Sequence, residues 1–138
     1  MPIDTPGEAL VIDARAILPL LLAQPNAPAL AARLSEHVLF APELVEYETA
    51  NGLLMATRQK RLESCELEKR WDMFEDYDVR RLQISLFLNK ALRAAQKHDL
   101  TLYDGTYLGL AIHLDLPLLT LDKALHRAAV AERRAASP

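Results

Sequence analysis

The sequence predicts a three-layer α/β/α fold with a mostly parallel central sheet. Short apolar runs alternate with stretches of helical spacing along the chain, which is the pattern of repeated β–α–β units. Those runs are compact and bounded, as strands covered on both faces are. Two of them end in an acid followed by a helix-like stretch: ALVI before Asp13, and PLLTL before Asp122. At 138 residues the chain fits one domain over residues 1–138. A chain of this size buries roughly 68–70% of its unfolded surface, so it needs neither disulfide nor structural metal to fold.

After a lead-in containing Pro2, Pro6 and Gly7, ALVIDA reads as the first strand, with Asp13 at its carboxyl end. ARAILPLLLA follows as a short helix that Pro19 is expected to bend or interrupt, and PNAP at 25–28 ends it. PALAARLSE suits a second crossover helix, and HVLFA a second buried strand. Pro42 is expected to open a long helix, PELVEYETANGLLMATRQKR, at a first-turn position where a missing N–H costs nothing. Leu44, Glu48 and Asn51 share one face of it. LESCELEKRWDMFED reads as an amphipathic helix with Leu62, Leu67, Trp71 and Phe74 on its apolar side. VRRLQIS is the third predicted strand, and residues 86–98 return to helical spacing. A helix then begins just before Asp104, a turn falls at Asp115–Pro117, PLLTLD is the fourth strand, and a last helix starts near Lys123. The polar ending AERRAASP is expected to fray.

Hydrophobic residues make up 51% of the chain, charged residues 25%, and the net charge is −3. A protein that coats nucleic acid through a broad positive surface is usually basic, so that class is excluded. The lone cysteine, Cys65, permits no internal disulfide, in keeping with a reducing compartment. The N-terminal stretch has no secretory pattern, and no apolar run approaches the ~20 residues of a membrane span. A cytoplasmic protein with no membrane contact is expected.

In parallel α/β sheets ligands bind beyond the carboxyl ends of the strands. Asp13 and Asp122 belong on that edge, Asp104 starts a helix that opens near it, and Glu48 lies on the helix after the second strand. Each acid also has a plain structural role open to it. Asp13 and Asp122 stand where helix caps stand, Asp104 follows Thr101 at a capping-box spacing, and Glu48 suits an exposed helix face. If the four converge, the energetics change. Two like charges ~4 Å apart repel by about 4 kcal/mol at an effective dielectric of 20. Four carboxylates around one cavity therefore need a cation or protons. An all-oxygen set favours Mg²⁺ or Mn²⁺ over zinc, and such an ion assists phosphodiester cleavage.

VIDARAIL, PELVEYETANGLL and LTLYDGTYLGLAIHLDLPLLTLDKAL, in this order and spacing, resemble PIN-domain ribonucleases, and most closely the VapC-type toxins of bacterial toxin–antitoxin pairs. The similarity spans roughly residues 9 to 128, and its most specific block is YDGTYLGLAIHLDLPLLTLD. The resemblance implies a Mg²⁺-dependent endoribonuclease acting on RNA. Asp13, Glu48, Asp104 and Asp122 match the family's acidic quartet; Asp13 and Asp104 would be the principal metal ligands, with Glu48 and Asp122 completing the site. Asn51 matches the polar residue one turn after the helix glutamate, and Thr120 the hydroxyl two before the last acid. A homodimer and an antitoxin partner that covers the site are also implied. The chain departs from the pattern twice. Arg15 stands where relatives often carry Ser, Thr or Asn; it would point away, hold substrate phosphate, or compete with the metal. The further short C-terminal strand common in the family is not visible in AERRAASP.

Other chemistries find little support. His37, His98, His113 and His126 have no zinc-ligand spacing, no phosphate-binding glycine loop occurs, and Ser35, Ser64 and Ser85 lie in no nucleophile elbow. RQKRLESCELEKR, Arg80–Arg81 and Arg133–Arg134 read as solvated charge before they read as RNA contacts. Trp71, Phe74 and Tyr77 read as core packing before partner surface. Receiver and haloacid-dehalogenase proteins also place acids at strand ends, but DARA lacks their paired-acid pattern. The competing reading is a binding module of the same fold that holds an antitoxin-like peptide and, because of Arg15, cleaves little.

Overall fold

The computed structural model describes residues 7–137; most of the predicted lead-in lies outside them. Strands β1 (Ala9–Ile12), β2 (Val38–Pro42), β3 (Arg80–Leu82) and β4 (Leu118–Leu119) form one parallel sheet in the order β3-β2-β1-β4. Helices α1 (Ala14–Leu21) and α2 (Ala27–Leu34) join β1 to β2; α3 (Leu44–Arg58) and α4 (Leu67–Asp76) join β2 to β3. Helices α5 (Leu88–His98) and α6 (Leu102–Leu114) precede β4, and α7 (Lys123–Ala131) follows it. One helical layer packs α1 with α2, α3 and α4; the other packs α6 between α5, α7 and the sheet. The predicted three-layer α/β/α class is the observed one. Among the described residues no helix is long and apolar enough to cross a membrane.

Burial explains the strand sequences. Leu10, Val11 and Ile12 are fully buried, as are Leu118 and Leu119, so these strands carry apolar side chains on both faces. Helix α6 is apolar on nearly every side, and Gly105 through Ala111 are all buried. It lies close against α5. A Cβ added to Gly109 would stand 2.6 Å from Ala91 Cα, and one added to Gly105 would stand 2.6 Å from the Ala91 carbonyl oxygen. Only glycine permits that approach. Asp115 ends α6 in the left-handed region (φ 57). The Leu116 amide then returns to the Ala111 carbonyl at 2.9 Å, which makes the predicted turn into β4.

Five local expectations are corrected. Pro42 closes β2, paired with Leu82, and α3 starts two residues later. The Glu43 amide donates to the Leu82 carbonyl at 3.0 Å. The neighbouring Pro42 nitrogen faces the β1 side, where pairing has already ended at Val11 with Phe40, so no ladder bond is lost. Pro19 does not interrupt α1, which runs through it to Leu21; the cost is confined to the one bond its nitrogen would have made to Arg15. Leu62 starts no helix, because its amide and that of Arg61 bond the Ala56 carbonyl and close α3. A 3-10 turn, Ser64–Glu66, leads into α4 instead. The third strand is only Arg80–Leu82, and the next turn is the 3-10 segment Ile84–Leu86.

The C-terminal stretch does not fray from the fold. Leu118 donates to the Arg134 carbonyl at 2.6 Å and accepts from the Ala136 amide at 3.0 Å, which makes a parallel bridge to Ala135. Ala136 is fully buried. An edge strand has open carbonyls and amides to satisfy, and two small apolar residues suffice to seat the chain there. The sheet's β4 edge is thus covered where a polar tail was expected.

Candidate functional site

The sheet reverses its order at β1: the chain moves from β1 outward to β2 and β3, then returns to place β4 on the other side. The carboxyl ends of β1 and β4 lie side by side at this switch point, which is where open parallel sheets hold ligands. Asp13 follows β1 directly, and Asp122 follows β4 by three residues. Helix α6 opens on the same edge and brings Asp104 in its first turn.

Arg15 joins these three acids. Its Nε lies 3.0 Å from Asp13 Oδ2, its Nη2 2.5 Å from Asp104 Oδ1, and its Nη1 2.9 Å from Asp122 Oδ1. Every nitrogen of the guanidinium faces a different carboxylate. Of the three alternatives open in the sequence, pointing away is excluded.

Asp13 is fully buried. Although it stands at the N-cap position of α1, its side chain makes no cap bond. Instead Oδ2 accepts from the Thr120 hydroxyl at 2.6 Å as well as from Arg15, while Oδ1 is buried with no hydrogen-bond partner among the described residues. Burial pushes its carboxyl above the ordinary carboxylate range, against the pull of Arg15 and Thr120. Thr120 is fully buried too. Its oxygen also accepts from the Asp122 amide at 3.0 Å, so one hydroxyl ties the two strand ends together.

Asp122 caps a helix and also faces Arg15. Its Oδ2 caps α7 by accepting from the Leu125 amide at 2.9 Å, and its Oδ1 faces Arg15. Asp104 is likewise placed by a cap: the Thr101 hydroxyl accepts from its amide at 3.1 Å, which leaves its carboxylate for Arg15.

Glu48 reaches this neighbourhood from α3 but is held differently. The buried Tyr107 hydroxyl donates to its Oε1 at 2.5 Å. Burial raises the Glu48 carboxyl, Tyr107 opposes that rise, and the nearby Asp13 and Asp104 charges add to it. Burial and the Glu48 charge push the Tyr107 phenol far above its ordinary value, so it stays a donor. Tyr107 escaped the sequence reading. The signal was there: it lies three residues after Asp104, on the same face of α6. A cavity of about 370 Å³ beside the acids is lined by Arg15, Glu48, Asn51, Tyr103 and Asp104, a volume within the range of small-ligand sites.

The donors suit a hard divalent cation in type: all are carboxylate oxygens, and one of them, Asp13 Oδ1, is buried and unpaired. As arranged, they surround a guanidinium, and among the described residues no three His, Cys, Asp or Glu side chains form a ready-made metal site.

The comparisons with known proteins bear on the family and the fold. The family model described as PIN domain matches residues 10–131. The chain belongs to the PIN-domain family. Its relatives place it in the VapC-type branch. Ribonuclease VapC3 of Pyrobaculum aerophilum is 33% identical over 121 residues, covering 84% of this chain and 91% of that protein. Ribonuclease VapC12 of Mycobacterium tuberculosis is 30% identical over 116 residues, covering 84% and 88%. The crystal structure of PAE2754 from Pyrobaculum aerophilum superimposes with a TM-score of 0.67 at 24% identity, over 88% of this chain and 80% of that one; it shares the PIN fold.

Elsewhere Arg80, Arg81 and Arg134 are engaged within the chain. Arg81 pairs with Glu46 at 3.1 Å and Glu75 at 3.4 Å and lies over the Phe74 ring, Arg80 lies over Phe40, and Arg134 pairs with Asp115. Phe74 is fully buried and packs against Trp71 with the two rings tilted by 41°, in line with core packing.

Proposed function

We propose that this PIN-domain chain is a divalent-metal-dependent endoribonuclease and the toxin of a toxin–antitoxin pair. One observation carries the reading: carboxylates from three separate elements meet on a single cation at the switch point of the sheet, with Glu48 beside them. The names of the VapC relatives support the ribonuclease half of it. Asp13 and Asp104 would be the principal holders of Mg²⁺ or Mn²⁺, with Glu48 and Asp122 completing the set. When bound, such an ion neutralises charge that develops on a phosphodiester and makes water a better nucleophile at neutral pH.

The chain's own groups supply the rest. Thr120 fixes Asp13, Tyr107 fixes Glu48, and the Thr101 cap fixes the start of α6 that carries Asp104. Pre-placed side chains of this kind spare the reorganisation that a mobile site undergoes at each turnover. A quartet carboxylate accepts the proton of the attacking water. RNA is the substrate, an antitoxin protein covers the acidic cleft, and the chain works as a homodimer in the cytoplasm, by the same family reasoning.

Arg15 favours a second reading, a PIN-fold binding module that grips an antitoxin-like peptide and cleaves little, since a cation already sits among the acids. One assay separates the two. Wild type and Asp104→Asn are incubated with single-stranded RNA, with and without Mg²⁺. The nuclease reading expects metal-dependent products from wild type and a loss of about a hundredfold or more in the variant. The fold should survive, because the Thr101 cap uses the residue's amide rather than its carboxylate. No cleavage by wild type at any metal concentration supports the binding module. Equal cleavage by the variant refutes the site.

A further inference from the structure

We propose that Arg15 is the site's own cation: its guanidinium holds the place among Asp13, Asp104 and Asp122 that a divalent ion would take, and loading of the ion requires the arginine to leave. The inference rests on the nuclease reading and concerns how that site is filled.

Three observations lead to it. The first is that every nitrogen of the guanidinium is engaged. Its Nε, Nη1 and Nη2 each face one carboxylate, at 3.0, 2.9 and 2.5 Å, and each polar contact found for Arg15 is with one of these acids. A side chain serving mainly as a phosphate clamp would keep an edge of its fork clear of carboxylates.

The second is size. A guanidinium is flat and broad, and its nitrogens are fixed in a plane. Carboxylates that grip its separate edges stand too far apart for an ion that binds oxygens at about 2.0–2.1 Å. This accounts for the absence of a ready-made metal cluster among the described residues despite the family's acidic pattern. Two cations of such different shape cannot share the three carboxylates, so one displaces the other.

The third is a way out. The Arg15 side chain is 40% exposed and lines the cavity with Asn51 and Tyr103. Its backbone sits in the first turn of α1, whose helix bonds do not depend on the side chain. The head group can turn into the cavity and its mouth while α1 stays in place. Without metal, the arginine relieves carboxylate repulsion that would otherwise work against the fold. With metal, that task passes to the ion.

Mn²⁺ is the probe. Metal-stripped full chain, as wild type, Arg15→Ala and Arg15→Lys, is titrated with Mn²⁺ while free ion is followed by electron paramagnetic resonance. Each chain is also melted with and without saturating Mn²⁺. Three partly exposed ion pairs together should shift the binding constant by about tenfold or more. Arg15→Ala is therefore expected to bind Mn²⁺ about that much more tightly than wild type. It should melt at a lower temperature without metal, and gain more from the ion. Arg15→Lys keeps the charge but loses the fork, so it falls between; if the alanine variant does not fold, tighter binding by the lysine variant decides. Equal or weaker Mn²⁺ binding by the folded variants overturns this inference and leaves the nuclease reading standing. No Mn²⁺ binding by any of the chains, wild type included, overturns both.

Discussion

Replacing Tyr107 by phenylalanine removes one oxygen atom and leaves a fully buried ring in place, so the effect is that of one hydrogen bond. That bond runs from the phenol to Glu48 Oε1 at 2.5 Å. Hydrogen bonds to charged groups contribute about 1.5–3 kcal/mol. Glu48 is only half-buried, and water can replace part of the lost bond, so a destabilisation of about 1–2 kcal/mol is expected. For a chain of this length that lowers the melting temperature by about 3–8 °C. The same loss frees Glu48 to leave its position and removes the contact that opposes the rise in its carboxyl's proton affinity. If orientation of Glu48 supports cleavage, a similar free energy appears in the rate, as a drop of about five- to thirtyfold. Urea unfolding measures the first effect, and RNA cleavage at saturating Mn²⁺ the second. Wild-type stability in Tyr107→Phe would refute the hydrogen bond's energetic role. Lowered stability with a wild-type rate would refute the positioning role and leave Tyr107 as a packing residue.

Two further outcomes follow from the packing and the surface charges. Gly109→Ala gains about 1 kcal/mol of helix propensity, but its Cβ would stand 2.6 Å from Ala91 Cα and N. Overpacking against backbone outweighs the gain, and a net loss of about 1–2 kcal/mol is expected in a thermal melt; a variant more stable than wild type would show that α5 and α6 separate easily. Glu132 lies 3.0 Å from Lys97 and 3.6 Å from His98, and its carboxyl is lowered first by the Lys97 hydrogen bond. A carboxylate with a lowered folded value stabilises above its ordinary value and loses that contribution as pH falls through the folded one. Glu132→Gln should therefore lose stability at pH 7 and approach wild type near pH 3, as followed by urea midpoints across that range; an equal loss at both ends would assign the effect to packing.

The acids at the strand ends were legible because their signal is local. A compact apolar run followed by Asp13 or Asp122 says that the strand stops and its carboxyl edge begins, whatever lies alongside. The start of α6 was legible for the same reason, since Thr101 and Asp104 are three residues apart and make the cap themselves. Boundaries went astray where a distant segment competes for the backbone. Pro42 reads as a helix opener until β3 arrives to pair with it, and the last residues read as loose until Leu118 offers both of its hydrogen-bonding groups.

From the chain alone came the fold class, the order of its elements and four acids that could share an edge. That three of them face Arg15 while Glu48 is held by Tyr107 emerged only in three dimensions. Arg15 meets Asp104 across 89 residues of sequence, and Tyr107 meets Glu48 across 59. Neither distance is encoded in any local pattern, because it depends on how far one layer of helices stands from the other across the sheet. Backbone periodicity sets where a side chain begins, and the packing of the whole sheet sets what it touches.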